Sequence, residues 1–316
     1  MLVVSRKGSF LLALLWVTLL SAGAWGQGAA APTFEALAAN YDYDAAAPLD
    51  IEKTTARAGA TYTVDHLVFS STNGERVTAL VEAPKGDGPC PAVVVQHGLG
   101  GRKEDFQLLM DLMGLQGVGV IAIDAEFHGE RKEADVGIID AANWERSRAA
   151  MMQTVVDLRR AVDALLTYKQ MDPQRIGFIG VSMGAILGTV FCAVEPRISC
   201  AVLIVGGADW GLILEKSQIG VAKAMRDQGL VDPDQVREVL RPVDPLYFVA
   251  HISPRPVLFQ QGRQDDIVPV ESNELLINTA GEPKEVDWYD SGHMVPIEKV
   301  IPRVTAWLKE KLKVGQ

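Results

Sequence analysis

Gly180-Val181-Ser182-Met183-Gly184 follows the short apolar run Arg175-Ile176-Gly177-Phe178-Ile179 and precedes Ala185-Ile186-Leu187-Gly188-Thr189-Val190. The first run has strand character and the second can form a helix. A strand that turns sharply into a helix through a serine forces that serine into strained backbone angles, and a Cβ on either flanking residue would clash with the turn. The hydroxyl is thereby exposed beside a helix N-terminus, whose unpaired N–H groups favour developing negative charge. Ser182 is therefore the candidate nucleophile.

Outward from this turn, strand and helix patterns alternate. Tyr62 to Phe69 and Val77 to Ala83 alternate around Asn73-Gly74, a hairpin signal. Pro91 to Gln96 and Val118 to Ile123 are continuous apolar runs, as expected of strands buried on both faces. Leu108 to Leu115 reads as a helix, and apolar residues at helical spacing from Met151 to Leu166 predict a long amphipathic one ending near Tyr168. Cys200 to Val205, Pro256 to Gln261 and Glu285 to Tyr289 supply further strands, and Pro296 to Lys313 a closing helix. This rhythm predicts an α/β fold, a doubly wound and mostly parallel sheet with an antiparallel hairpin at its start. Residues 207–250 interrupt it with helical patterns around Leu212 to Gln228 and Asp234 to Leu240. They read as a helical insertion before the acid-bearing strand, expected to roof the active site. Residues 27–60, rich in Ala, Pro and Asp, read as an irregular N-terminal arm.

The chain has 316 residues, 48% hydrophobic and 22% charged, enough for one large domain, 27–316. Residues 1–26 combine Arg6 and Lys7, an apolar stretch from Phe10 to Leu20, and small residues ending in Ala24-Trp25-Gly26. That pattern predicts a secretory signal peptide and a secreted or periplasmic product, the apolar core being shorter than the ~20 residues of a membrane span. Removing it takes two bases and no acids, moving the formal charge from −10 to −12. So acidic a product has no electrostatic footprint for nucleic acid or an anionic membrane. Cys192 and Cys200 read either as a disulfide or, with Cys90, as small buried hydrophobes. Cys or His at metal-ligand spacing is not found, and no cofactor is expected.

A serine hydroxyl needs a base, and the chain has five histidines. His66 lies in the first hairpin and His251 at the end of the insertion. His97, His128 and His293 each follow a strand, and loops at the carboxyl ends of a doubly wound sheet converge on one crevice. The chain order Ser…Asp…His selects His293. The orienting carboxylate should leave the strand ending at Gln261, where Asp265 is expected to point inward and Asp266 to solvent. Met183 N–H is one expected oxyanion donor. Leu99 N–H, in the glycine-rich His97-Gly98-Leu99-Gly100-Gly101, is the other. Trp144 and Trp210 are candidate pocket walls, with packing roles the alternative.

Val94 to Gly98, Phe127-His128-Gly129-Glu130-Arg131, Gly180 to Gly184, Gly262 to Pro269 and Ser291-Gly292-His293 together resemble an α/β-hydrolase. Over about residues 62–313 the chain is similar to the dienelactone-hydrolase-like and acetyl-xylan-esterase-like members, which share these motifs with prolyl-oligopeptidase catalytic domains. Dienelactone hydrolases proper carry a cysteine nucleophile where this chain has Ser182. The resemblance implies Ser182, Asp265 and His293 as a catalytic triad, Leu99 and Met183 as oxyanion donors, and His128 and Arg131 as braces of their loop. It implies hydrolysis of a small-molecule or carbohydrate ester. A peptidase or amidase with the same residues is the alternative within enzymes, and a non-catalytic binding protein the alternative outside them.

Overall fold

The computed structural model describes residues 32–86 and 88–315; the expected signal peptide, residues 1–26, lies outside them. Nine strands form one sheet: β1 (Glu52–Ala58), β2 (Tyr62–Ser70), β3 (Arg76–Pro84), β4 (Cys90–Gln96), β5 (Gly119–Ile123), β6 (Met171–Val181), β7 (Ile198–Ile204), β8 (Val257–Gly262) and β9 (Lys284–Tyr289). Their spatial order is β1-β2-β3-β5-β4-β6-β7-β8-β9. β1, β2, β3 and β5 pair antiparallel in succession, and every pair from β5 to β9 across the rest of the sheet is parallel. The helices are α1 (Phe34–Ala38), α2 (Gln107–Gly114), α3 (Trp144–Leu165), α4 (Met183–Val194), α5 (Trp210–Lys216), α6 (Gly220–Asp227), α7 (Pro233–Leu240), α8 (Val270–Thr279) and α9 (Ile297–Lys311). The fold is that of an α/β-hydrolase, with helices on both faces.

Alternation along the central strands explains why they read as unbroken apolar runs. Ala92 and Val94 of β4 enter the core shared with α3 and α4, whereas Val93 and Val95 enter the one shared with α2 and α9. Strand order reverses at β4: its crossover leads to β5 on one side, and the next leads back past it to β6. The loops after β4 and β6 thus flank the crevice where an open α/β sheet binds ligands.

Two expectations are corrected. Residues 52–58, read as part of an irregular arm, form the edge strand β1. Every residue of β1 is exposed, so it carries none of the apolar alternation that marks a half-buried strand. The described part of the arm before β1 is tied down. Tyr41 Oη donates to Pro242 O at 2.6 Å, Phe34 stacks on His251 at 3.8 Å, and buried Arg160 donates to the carbonyls of Ala47 and Pro48. The single helix expected over 212–228 is two, α5 and α6. They are broken at Ser217–Ile219, where Arg226 donates to Leu214 O and Ser217 O and satisfies the carbonyls that end α5.

The insertion packs on α3, α4 and α8, and Gln218 N–H donates to Asp266 O at 2.7 Å, next to Asp265 on the loop after β8. Among the described residues no hydrogen bond links it to Ser182 or His293. Trp144 and Trp210 are buried in the core rather than lining a pocket, and Trp210 Nε1–H donates to Val243 O. Cys192 and Cys200 are buried free thiols, Cys90 is a partly buried one, and burial pushes Cys200 up to about 12.

One buried carboxyl is left without a hydrogen bond. Glu82 on β3 is fully buried beneath Gly114, and both its oxygens lack a hydrogen bond. Burial, reinforced by Asp111 and opposed by Arg57, pushes its pKa up to about 7. The folded protein therefore holds a proton that an unfolded chain releases near pH ~4.3, so stability falls as pH rises through this window and levels off above about 7. Glu126, also raised to about 7, acts in the same direction. Glu82→Gln should leave stability at pH 4 nearly unchanged and raise it at pH 8 by on the order of 3 kcal/mol, with a shallower pH slope in denaturant titrations.

Candidate active site

β6 ends in the turn that opens α4, and Ser182 sits on it at φ 56°, ψ −121°. A non-glycine residue holds such angles only where its surroundings over-determine them. Ser182 N–H donates to Ile204 O at 2.8 Å, locking the turn to β7. Ser182 O accepts from Ala185 and Ile186 N–H at 2.8 and 3.0 Å, which starts the helix. The flanking glycines are required by close approach. A Cβ on Gly180 would lie 2.3 Å from Gly184 O, and one on Gly184 would lie 2.2 Å from Gln96 O and 2.6 Å from His97 O. The backbone after β4 is thus pressed against the serine turn.

His293 follows β9. Its Nε2 lies 2.9 Å from Ser182 Oγ, and its Nδ1 lies 2.8 Å from Asp265 Oδ2 and 3.0 Å from Oδ1. A carboxylate only accepts, so Nδ1 carries the proton and Nε2 is left to accept from the serine hydroxyl. Asp265 is buried, and its Oδ1 also accepts the N–H groups of Ile267 and Val268 at 3.0 and 2.9 Å. Asp266 is exposed. Arg263 N–H to Tyr289 O (2.8 Å) and Gln264 N–H to Ser291 O (2.9 Å) bind the acid loop to the histidine loop. The structure thus brings Ser182, His293 and Asp265 into one hydrogen-bonded line.

Leu99 is partly buried on the loop after β4, and Met183 is buried at the first position of α4. Among the described residues neither backbone N–H has a hydrogen-bond acceptor. The remaining histidines take other roles. His97 Nδ1–H donates to Gly98 O at 2.8 Å, and its Nε2 accepts Ala125 N–H at 3.1 Å. His128 Nδ1–H donates to Glu126 O at 2.7 Å, with its ring 5.1 Å from that of His97. Burial lowers the pKa of both. His66 pairs with Glu130 and His251 stacks under Phe34. Arg131 donates to Asp124 O and pairs with Asp157 and Glu126, bracing the loop after β5.

Sequence reasoning missed Lys103. Its side chain is fully buried, with Nζ 2.7 Å from Asp124 Oδ2 and 2.6 Å from Glu130 Oε1, and its N–H donates to Asp124 Oδ1 at 3.0 Å. Asp124 also accepts from Thr78 Oγ1 at 2.7 Å. This charged node joins the loop after β4 to the loop after β5. Its one sequence signal is an acid directly after a buried strand, which is also how an ordinary turn looks. Among the described residues no group of three or more His, Cys, Asp or Glu is arranged to hold a metal ion, and no helix is long and apolar enough to cross a membrane.

The prolyl oligopeptidase family matches residues 142–315, and the acetyl xylan esterase (AXE1) family matches residues 36–206. The chain belongs to the acetyl-xylan-esterase-like group of α/β-hydrolases. The fold is similar to that of acetyl xylan esterase 1 from Thermoanaerobacterium sp. JW/SL YS485, with a TM-score of 0.73 and 20% identity over 90% of this chain and 94% of that one. The acetyl xylan esterase from Paenibacillus sp. R4 gives 0.72 and 19% over 88% and 92%. The putative hydrolase YtaP of Bacillus subtilis is 25% identical over 186 residues, 54% of this chain and 62% of YtaP. The chain thus spans less than two thirds of that relative.

Gly184→Ala should destabilise the protein by more than about 2 kcal/mol, because the added Cβ meets two backbone carbonyls rather than a flexible side chain. Gly220→Ala, where nothing lies within 4 Å, should change stability by less than about 1 kcal/mol in the same denaturant titration.

Proposed function

We propose that this acetyl-xylan-esterase-like α/β-hydrolase cleaves carboxylic esters through an acyl-enzyme on Ser182. The single observation that supports the reading is the line from Ser182 Oγ through both nitrogens of His293 to a buried Asp265. Ser182 Oγ attacks the ester carbonyl as its proton passes to His293 Nε2. The resulting imidazolium is stabilised by Asp265, which keeps its own charge. The oxyanion of the tetrahedral intermediate is received by the amides of Leu99 and Met183, each contributing roughly 3 kcal/mol of differential stabilisation. Collapse breaks the C–O bond, and His293 returns the proton to the departing alcohol. Water then attacks the acyl-enzyme with His293 as base, releasing the acid and free Ser182. None of these steps calls on a metal or cofactor.

His97 has a place in this scheme. In a trans peptide the C=O and the N–H point in opposite directions. Gly98 O is held by His97 Nδ1–H at 2.8 Å and by Gly101 N–H at 3.0 Å, so the Leu99 N–H of the same peptide is aimed in the opposite direction. Because His97 Nε2 accepts from Ala125, the ring works in its neutral form, which burial favours.

The proposed substrate is a small-molecule or carbohydrate ester, and the leader pattern of residues 1–26 makes the proposed site of action secreted or periplasmic. The match of residues 142–315 to the prolyl oligopeptidase family favours a second reading, amide hydrolysis by the same residues. Comparing p-nitrophenyl acetate with an aminoacyl-p-nitroanilide separates the two, and faster turnover of the anilide overturns the esterase reading.

On p-nitrophenyl acetate, Ser182→Ala should lower kcat by about 10⁶-fold and Asp265→Asn by about 10⁴-fold. His97→Ala should lower kcat by about 10²-fold with KM little changed, and His97→Asn, which can keep a donor toward Gly98 O, should recover most of it. A KM effect in His97→Ala without loss of kcat would remove His97 from the oxyanion argument.

A further inference from the structure

Met294-Val295-Pro296-Ile297 carries the chain from His293 into α9, four apolar residues in succession beside the reactive line. Among the described residues six large apolar side chains are exposed, and two of them are here, Met294 at 81% and Ile297 at 58%. Exposed apolar residues scattered singly are ordinary, whereas a contiguous set beside a reactive group marks a contact surface.

Helical spacing shows which way Ile297 faces. α9 seats on the sheet through Val300, Val304, Trp307 and Leu308, all buried. Ile297 stands three residues before Val300, so it continues that inward stripe by one turn at the end where the strands finish. A helical Cβ tilts toward the helix N-terminus, and the Ile297 side chain therefore leans back toward the loop that carries His293. Val295 of that loop and Val181, the residue before the nucleophile, pack against the same core layer and are only half-buried. The exposed Glu298 and Lys299 fall on other faces of the helix. The stripe that holds α9 on the sheet thus runs out into an apolar shelf beside the base.

The chemistry decides which part of an ester meets this shelf. A general acid must lie within hydrogen-bond reach of the atom it protonates. The departing alcohol oxygen therefore passes His293 Nε2, itself 2.9 Å from Ser182 Oγ, and the carbons attached to that oxygen lie on the histidine side. The carbonyl oxygen goes instead to the amides of Leu99 and Met183.

We propose that Met294 and Ile297 form a leaving-group shelf that selects esters of apolar alcohols, the alkyl or aryl part of the alcohol lying across both side chains. The proposal rests on the ester-hydrolase reading and narrows its substrate class. Pentyl acetate and methyl hexanoate are isomers that carry the same carbons on opposite sides of the ester bond. The kcat/KM for pentyl acetate should exceed that for methyl acetate by at least about tenfold, and this ratio should fall at least about fivefold in Ile297→Ser and in Met294→Gln. The ratio of methyl hexanoate to methyl acetate should stay within about twofold of wild type in both variants, as should both ratios in Leu115→Gln, which alters a comparably exposed leucine just after α2. The substituted side chains are exposed, so the variants keep their fold. Binding is read separately by NMR in Ser182→Ala protein with isotope-labelled methionine methyls. The Met294 signal, identified by its loss in Met294→Gln, should shift saturably with pentyl acetate and not with acetate ion. A flat alcohol series, equal losses on the two isomers, faster turnover of an acetylated glucose than of pentyl acetate, or a Met294 signal that moves with protein concentration and not with ester would each overturn the shelf. A saturable shift without hydrolysis of any ester would sink the ester-hydrolase reading and leave the shelf standing.

Discussion

The close approach of two backbones governs this protein's chemistry. Gly184 lies so tightly beneath the carbonyls of Gln96 and His97 that no side chain fits between them, and Gly180 is pressed in the same way against Gly184. The contact brings the loop after β4 and the turn after β6 together at the point where strand order reverses. It also holds Ser182 at backbone angles that a free chain would leave. With the turn locked to β7 through Ile204 O, the hydroxyl has a fixed origin against which a base can be placed. Oxyanion stabilisation needs such rigidity, because donors that must reorganise during the reaction lose most of their advantage.

The neighbouring loops are held by charge as well as by packing. Asp124 takes hydrogen bonds from Thr78, from the Lys103 backbone and from the Lys103 ammonium, so one buried carboxylate spans β3, the loop after β4 and the end of β5. Hydrogen bonds from protein donors keep its pKa low against the cost of burial. Removing either partner of such a pair leaves an uncompensated charge and is far more costly than the net worth of the pair. The loop after β5, held by the same node, carries His128, whose ring lies 5.1 Å from that of His97 on the loop after β4.

What could be read in the sequence follows from local physics. The Gly-x-Ser-x-Gly turn has a steric cause within five residues, so it is legible, and the apolar runs of β4 to β8 report burial on both faces directly. Asp265 and His293 are legible as positions after strands, because topology sends those loops to one edge. β1 was not, since a fully exposed edge strand, Glu52 to Ala58, has no periodic apolar face. Nor was the break between α5 and α6, which depends on Arg226 reaching back to two carbonyls. Trp144 and Trp210 look like pocket residues in a sequence and are core residues in the fold. Lys103 is drawn into the core by Asp124 and Glu130, and Glu82 is covered by Gly114, each more than twenty residues away in the chain, and no local pattern announces those contacts.

The account's central claim is that Ser182, activated by His293, is the nucleophile. Intact-mass and peptide mass spectrometry after exposure to a fluorophosphonate tests it most directly. The claim predicts a single adduct on the peptide containing Ser182, absent in Ser182→Ala and strongly slowed in His293→Ala. A folded wild-type protein that stays unlabelled, or carries the adduct on another residue, would contradict it.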